Sequence, residues 1–193
     1  MNYQSDFLKF KPTGVTLETG SMLISTPFYN DGNFNHSVVL LLDYDEKGAA
    51  GLILNKVTPY SIRRAKPSWR IDDEISFGGP VLGDEIFTLH SFADPEKYAP
   101  VKDGLYAGID HVLLSLIEHK AIPDLKYRFF IGYSGWSAGQ LDDEVAQGMW
   151  AVSEYQPALV FDMPADEVWP TAVRHLGPDY QHWLNFPKHL IYN

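Results

Sequence analysis

Apolar positions in the first half of the chain are concentrated in short runs, and this pattern predicts strands. Residues 22–26 form one such run, which ends at Pro27, a residue that suits a strand end. Residues 37–43 form a continuous apolar run rich in branched side chains, typical of a strand buried on both faces. A turn at residues 45–48 and a further apolar run at residues 51–55 together predict a hairpin.

Helical spacing of apolar residues appears only in the second half. Asp110 is a good N-cap, and a predicted helix runs from it to Lys120. A second helix is predicted over residues 141–149, and a third over residues 164–176, ending at Gly177. The early strands are too close together for crossover helices, so we expect an α+β fold with a mixed, largely antiparallel sheet and about three flanking helices. Further strands are predicted over residues 75–77, 85–91, 105–109, 127–133 and 158–162.

The chain of 193 residues has the length of one domain, and no linker divides it. We therefore expect a single domain over residues 1–193, with residues 1–19 as an N-terminal arm and residues 178–193 as a C-terminal tail. The tail carries Tyr180, Trp183, Phe186 and Tyr192. It is too aromatic to remain in solvent, so we expect it to dock.

The net charge of the chain indicates which classes of partner it can bind. Fifteen Lys and Arg stand against 25 Asp and Glu, which gives a net charge of −10 and disfavours direct binding to nucleic acid. The densest basic stretch consists of Arg63, Arg64, Lys66 and Arg70. It is either a solvated loop or a contact for an anionic ligand.

Other simple properties exclude several classes of site. The chain has no cysteine, which excludes disulfides, thiolate metal sites and cysteine nucleophiles. The N-terminal residues lack the pattern of a secretory signal, and the longest apolar run, residues 38–42, is too short to span a membrane. We therefore expect a soluble protein of the cytoplasm that makes no contact with a membrane.

The most unusual segment begins at Gly132 and ends at Gly139. It is predicted to be a turn that joins a strand to a helix, where free backbone N–H groups favour an anion. Its spacing matches neither a phosphate loop nor a dinucleotide fingerprint, and it is one residue short of a nucleophile elbow. Two interpretations stay open: a tight turn in which Trp136 fills the core, and a binding site.

A second glycine-rich segment, Gly78 and Gly79, precedes Pro80. Glycine allows backbone conformations and close approaches that a Cβ forbids. The segment is therefore either a bend in a strand or an opening for a ligand beside the sheet.

The seven histidines form no metal-binding motif, and we expect no metal or other cofactor. Asp142, Asp143 and Glu144 open a predicted helix, where carboxylates cap the helix and stabilise its dipole, and oxygen ligands for a divalent cation are the alternative. His36 and His90 each lie at a predicted strand end. Because histidine titrates near neutrality, either could be a general base or an anion ligand, and a simple hydrogen-bonded side chain is the alternative.

Several of these segments, taken in order, resemble the YqgE/AlgH family of small bacterial proteins. The resemblance covers residues 20–177, and the segment from Gly132 to Trp136 is its most specific part. Ser137 and Ala138 depart from the Gly-Pro that is usual there, and Val57 replaces an expected proline. The other matching parts are residues 20–27, 34–41, 48–55, 77–81, 89–90 and 158–162, with Glu144, Trp150 and Trp169.

The resemblance implies a compact α+β fold with a bent, barrel-like sheet. It also implies regulation of transcription, a description that rests on one member's influence on alginate production, and it supplies no catalytic residues. The acidic charge and the lack of a helix-turn-helix pattern favour an indirect regulatory role.

The sequence thus favours a non-enzymatic binding or regulatory module that acts through a protein partner or a small-molecule ligand. The alternative is a hydrolase or phosphate-handling enzyme that uses His36 or His90 with the 132–139 turn as an anion cradle. The candidate ligand-binding face consists of residues that we expect to converge in space. They are Asn55, Gly78, Gly79, His90, Gly135 and Trp136.

Overall fold

The computed structural model describes residues 13–29 and 31–186. The strands are β1 (Met22–Ser25), β2 (Val38–Asp45), β3 (Gly48–Ile53), β4 (Val57–Ser61), β5 (Glu74–Phe77), β6 (Val81–His90), β7 (Pro100–Lys102), β8 (Leu105–Ala107), β9 (Tyr127–Ser137) and β10 (Trp150–Ser153). The helices are α1 (Ile62–Ala65), α2 (His111–Glu118), α3 (Gln140–Ala146), α4 (Pro157–Phe161) and α5 (Ala165–His175), followed by a 3-10 helix over Pro178–Asn185.

The strands form one mixed sheet, which confirms the predicted α+β fold. The order of the main path is β10-β1-β2-β3-β9-β6-β8-β7, and β4 and β5 join it beside β9. Neighbouring strands are antiparallel except β5 and β9, which run parallel with Ile75 opposite Phe129. The long strand β9 therefore lies at the centre, where it pairs with β3, β5 and β6.

Strands β2 and β3 form the predicted hairpin, with Leu40 opposite Leu52. The first half of β2 is buried on both faces, as its continuous apolar run predicts. Beyond Leu41 the pairing shifts register, and exposed Asp43 and Asp45 then alternate with half-buried Tyr44. The second half of β2 thus leaves the core and presents a polar face to solvent.

Three apolar clusters fill the spaces between the sheet and its helices. The first, which includes Phe130 and Trp169, lies beneath α4, α5 and the 3-10 helix. The second contains Trp136 and Trp150 and packs against α3. The third includes Phe129 and packs against α1 and α2. Phe129 and Phe130 enter different clusters because successive strand residues point to opposite faces.

The predicted strand over residues 158–162 is wrong, because residues 158–161 belong to helix α4 and Asp162 caps its C-terminal end. Pro157 occupies the first turn, where its fixed φ suits a helix and its missing N–H costs nothing. A short apolar run does not by itself distinguish a strand from a buried helix. Strand β10 was not predicted either. It pairs with β1 on the side opposite β2.

The C-terminal tail docks as expected within the described residues. Tyr180 and Trp183 are buried in the first cluster. Tyr192 and residues 1–12 lie outside the described part of the chain. Val15, the first apolar residue described in the arm, packs against the second cluster. No helix in the described ranges is both long enough and apolar enough to cross a membrane.

Candidate functional site

The segment between Gly132 and Gly139 is mostly strand and not the predicted turn. Strand β9 continues to Ser137, and its second half pairs with β3, so that Ala50 lies opposite Gly135. Backbone groups that were expected to cradle an anion are therefore part of the sheet. The glycines concealed this strand in the sequence, because glycine is depleted in strands.

Gly78 and Gly79 lie where the backbone passes very close to β9. A Cβ on Gly78 would lie 2.2 Å from the carbonyl oxygen of Gly132, and one on Gly79 would lie 2.3 Å from the carbonyl group of Tyr133. The N–H of Gly78 donates to the carbonyl of Ile131 at 2.9 Å. The two glycines therefore permit a bend with close backbone packing, and β9 occupies the space beside them.

The side chain of Asn55 is also fully engaged. Its Oδ1 accepts from the backbone N–H of Val38 at 2.9 Å, and its Nδ2 donates to the carbonyl of His36 at 2.8 Å. The amide therefore joins the end of β3 to the start of β2. Both ends of the amide are used within the protein.

Trp136 fills the core and is fixed by Glu144. The indole N–H groups of Trp136 and Trp150 donate to the same Oε2 of Glu144, at 2.9 and 2.8 Å. Gln140 donates to Oε1 at 2.9 Å, and the hydroxyl of Tyr29 lies 3.5 Å from Oε2. Burial, and then the charge of Glu144, raise the pKa of Tyr29 to about 12. The carboxylate thus joins α3 to β9 and β10, a more specific role than the helix-dipole interaction that the sequence suggested.

A groove of about 550 Å³ runs along the sheet at Gly135. Four small residues line it where β3 and β9 pair, namely Gly48, Ala49, Ala50 and Gly135. Helix α5 covers β1 and β2, but it contributes no residue to the groove. The groove is therefore open to solvent, because its side chains are small and no helix residue within residues 13–29 and 31–186 lines it.

The two sides of the groove differ in chemistry. Asp43 and Asp45 on β2 contribute exposed carboxylates, and Lys47 after them contributes an exposed ammonium group. Val81 and Tyr133 contribute apolar surface on the other side. A Cβ on Gly135 would lie 3.2 Å from Cε2 of Tyr133, so this ring closes one side. The side chain of Asp43 makes no hydrogen bond or ion pair within the part of the chain that the structure describes. Sequence reasoning missed both carboxylates, although polar residues alternating at positions 43 and 45 were a signal for them.

His90 lies far from this groove, so the six predicted residues do not form one face. It pairs with Tyr127 at one end of β9, and Gly135 is eight positions further along, roughly 26 Å at about 3.3 Å per residue. The imidazole is fully buried, with its ring centre 4.7 Å from that of Tyr98 and 5.9 Å from that of Tyr106. Of the predicted residues, only Gly135 and Trp136 line the groove.

His36 is buried as well. Its ring centre lies 4.2 Å from that of Trp169, and its Nδ1 forms a hydrogen bond with Oδ1 of Asn35. Because both histidines are buried and the 132–139 segment offers no anion cradle, the geometry gives no support to the enzyme hypothesis. The residues of the described ranges also include no group of three or more histidines and carboxylates that could hold a metal ion.

The burial of His90 predicts acid sensitivity of the fold. Burial lowers the pKa of His90 below its ordinary value of 6.5, although the carbonyl of Phe92 and the charge of Asp110 act in the opposite direction. Below about pH 6.5 the unfolded chain therefore binds a proton that the folded chain excludes, and the free energy of unfolding falls as the pH decreases. We expect urea titrations to show this loss between pH 7 and pH 5, and to show a smaller loss in His90→Phe. An equal loss in the variant would contradict the prediction.

A buried cation, Arg128, lies on the first half of β9. It donates to the carbonyls of Val160 and Leu54 at 2.7 and 2.9 Å, and to the hydroxyl of Ser76 at 2.9 Å. Burial lowers the pKa of its guanidinium to about 10. The ring of Phe130 lies 5.0 Å from the guanidinium carbon. Arg128 thus joins β3, β5, β9 and α4, and its bonds explain how a cation is tolerated there.

Comparison with known sequences identifies relatives that span the whole chain. The AlgH-like family matches residues 22–181. A UPF0301 protein from Bacteroides thetaiotaomicron is 34% identical over 197 residues, which is 100% of each chain. A UPF0301 protein from Parabacteroides distasonis is 36% identical over 175 residues, which is 88% of each chain.

Two solved structures are similar to this one. The solution structure of the AlgH protein from Pseudomonas aeruginosa has a TM-score of 0.71 and 29% identity, covering 93% of this chain and all of that chain. A crystal structure of a protein from Corynebacterium diphtheriae has a TM-score of 0.75 and 20% identity, covering 89% of this chain and 94% of that chain. The second similarity is one of fold alone.

Proposed function

The chain belongs to the AlgH-like family, and we propose that it is a non-enzymatic binding protein that docks a protein partner in the groove at Gly135. The groove itself carries the proposal. It has a volume of about 550 Å³ and is open to solvent, so a segment of a protein partner can reach its lining. Exposed carboxylates on one side and the ring of Tyr133 on the other supply the few polar and aromatic contacts that orient a bound segment.

Binding is favoured over catalysis because the hydroxyl and the buried carboxylate nearest the groove, those of Ser134 and Glu144, are already engaged. The hydroxyl of Ser134 is buried and donates to the carbonyl of Gly78 at 3.1 Å. Glu144 accepts the two indole N–H groups and the amide of Gln140. A nucleophile needs a base within hydrogen-bond reach, and neither residue has that arrangement.

The proposed role is regulatory and indirect. A net charge of −10 disfavours direct contact with DNA, so an effect on transcription would pass through the bound protein. A cytoplasmic location is part of this proposal, since transcription factors and their partners act there in bacteria.

The proposal is tested by filling the groove. Gly135 is exposed and has no positive φ, and its Cβ would meet two side chains, the movable ring of Tyr133 at 3.2 Å and Cγ2 of Val81 at an ordinary contact distance of 3.7 Å. Gly135→Val should therefore fold normally and narrow the groove. Native mass spectrometry of protein purified from its own cells should show a partner bound to the natural chain, and we expect at least about a tenfold lower occupancy in the variant.

Gly32→Val is the matched control, because Gly32 is also exposed and a Cβ there would meet nothing within 4 Å. It should retain the partner. A natural chain that carries no partner would contradict the proposed function, as would equal occupancy in Gly135→Val with its fold intact.

A further inference from the structure

The segment from residue 56 to residue 71 has a net charge opposite in sign to that of the rest of the chain. It holds five of the 15 lysines and arginines and no acidic residue. The net charge of −10 is thus the sum of +5 in this segment and −15 elsewhere. Such a local reversal attracts a different class of partner from the remainder of the surface. The five cations are Lys56, Arg63, Arg64, Lys66 and Arg70.

The same segment exposes large apolar side chains. Val57 and Tyr60 on β4 leave 66% and 45% of their surface in solvent. Among the described strands, β4 pairs with β5 alone, so its outer edge has no neighbour. The guanidinium carbon of Arg64 lies 4.6 Å from the centre of the Tyr60 ring, a cation–π contact that holds charge beside the exposed ring. Large apolar side chains exposed on one short edge strand are typical of an interaction surface.

Most of the positive charge here has no carboxylate partner. Arg63 lies 3.4 Å from Asp72, and both side chains are mostly exposed, so this pair contributes little. Arg64, Lys66 and Arg70 make no ion pair with any carboxylate in residues 13–29 and 31–186. These three cations are therefore available to an acidic partner.

From this combination we infer that residues 57–71, here called the β4 surface, dock an acidic segment of a protein partner. Its carboxylates pair with Arg64, Lys66 and Arg70, and an apolar side chain of the same segment covers Val57 and Tyr60. A long polyanion is disfavoured, because −15 of charge on the rest of the molecule repels nucleic acid and anionic membranes. The β4 surface shares no residue with the groove at Gly135 and is independent of its function.

The test is a titration of the full chain with a short, capped, fluorescent peptide of alternating glutamate and leucine. We expect its fluorescence anisotropy to rise on binding, and the affinity to fall as salt is raised. Tyr60→Ala and Arg64→Glu should each weaken binding by about tenfold or more. Both side chains are exposed, so these variants should keep their fold, which circular dichroism checks.

The matched control is Arg174→Glu, which makes the same charge change at another exposed arginine, on α5. It should bind the peptide within about twofold of the natural chain. Lack of peptide binding, equal weakening by Arg174→Glu, or tighter binding of a single-stranded oligonucleotide or of anionic vesicles would each overturn the inference.

Discussion

Replacement of Glu144 by alanine should lower the free energy of unfolding by about 3 to 5 kcal/mol, because it leaves buried donors without an acceptor. Trp150 is fully buried and Trp136 is 6% exposed, so water cannot readily replace the carboxylate at either indole N–H. Gln140 loses its acceptor as well. The loss is measured by urea titration followed through tryptophan fluorescence, which reports directly on these two rings.

Two further variants identify the cause of that loss. Glu144→Gln keeps the length of the side chain and one acceptor oxygen, so we expect it to lose about half as much stability. Glu167→Ala removes an exposed carboxylate that lies 3.9 Å from Arg174, and its effect should stay within about 0.5 kcal/mol. If Glu144→Ala costs no more than Glu167→Ala, the carboxylate does not stabilise the two indoles.

Gly79→Ala should destabilise the fold at least as much as Glu144→Ala. We expect it to lower the free energy of unfolding by more than about 4 kcal/mol, or to prevent folding. The added Cβ would lie 2.3 Å from the carbonyl group of Tyr133 and 2.4 Å from the nitrogen of Ser134, and these are backbone atoms of a central strand that cannot move aside. Gly79 also has a φ of +151°, which side chains rarely adopt. Soluble yield and thermal unfolding measure the effect.

Gly83→Ala is the control, because Gly83 lies in the exposed part of β6 and a Cβ there would meet nothing within 4 Å. We expect its midpoint of thermal unfolding to stay close to that of the natural chain. A Gly79→Ala protein as stable as Gly83→Ala would mean that β9 does not approach Gly79 as the structure shows.

Local signals in the sequence predicted local structure well. Asp110 was expected to cap a helix, and its Oδ1 accepts from the backbone N–H of Leu113 at 2.8 Å. That bond is the largest cause of a pKa of about 2 for Asp110. The hairpin of β2 and β3 was predicted equally well, because a short turn brings adjacent segments together. In both cases the residues that determine the structure are near neighbours in the chain.

Pairing between distant segments could not be predicted in this way. Gly135 is a strand residue because β3 lies beside it, and β3 comes more than 80 positions earlier. Tertiary neighbours override the low strand propensity of glycine, and one sequence does not reveal those neighbours. The same limit explains why β10 was missed and why β5 was not known to run parallel to β9.

The candidate site was predicted only in part. Glycine and tryptophan in unusual patterns drew attention to Gly135 and Trp136, which line the groove. His90 was included because of its chemistry, yet its place at the end of β6, opposite Tyr127 of β9, separates it from them. Asp43 was not considered, although its alternation with Tyr44 and Asp45 was a signal of a strand with one polar face. Whether the groove binds a ligand stays a prediction until a partner is measured.

The pairing of β1 with β10 has a consequence for how the chain is made. Met22 lies opposite Ser153, which the ribosome adds 131 positions later. At roughly 5–20 residues per second, about 7 to 26 seconds pass between these two events. During that time β1 has β2 on one side and an open edge on the other, which strands of other nascent chains can join. We therefore expect the yield of folded protein to depend more on the speed of synthesis and on the supply of chaperones than on the stability of the finished fold.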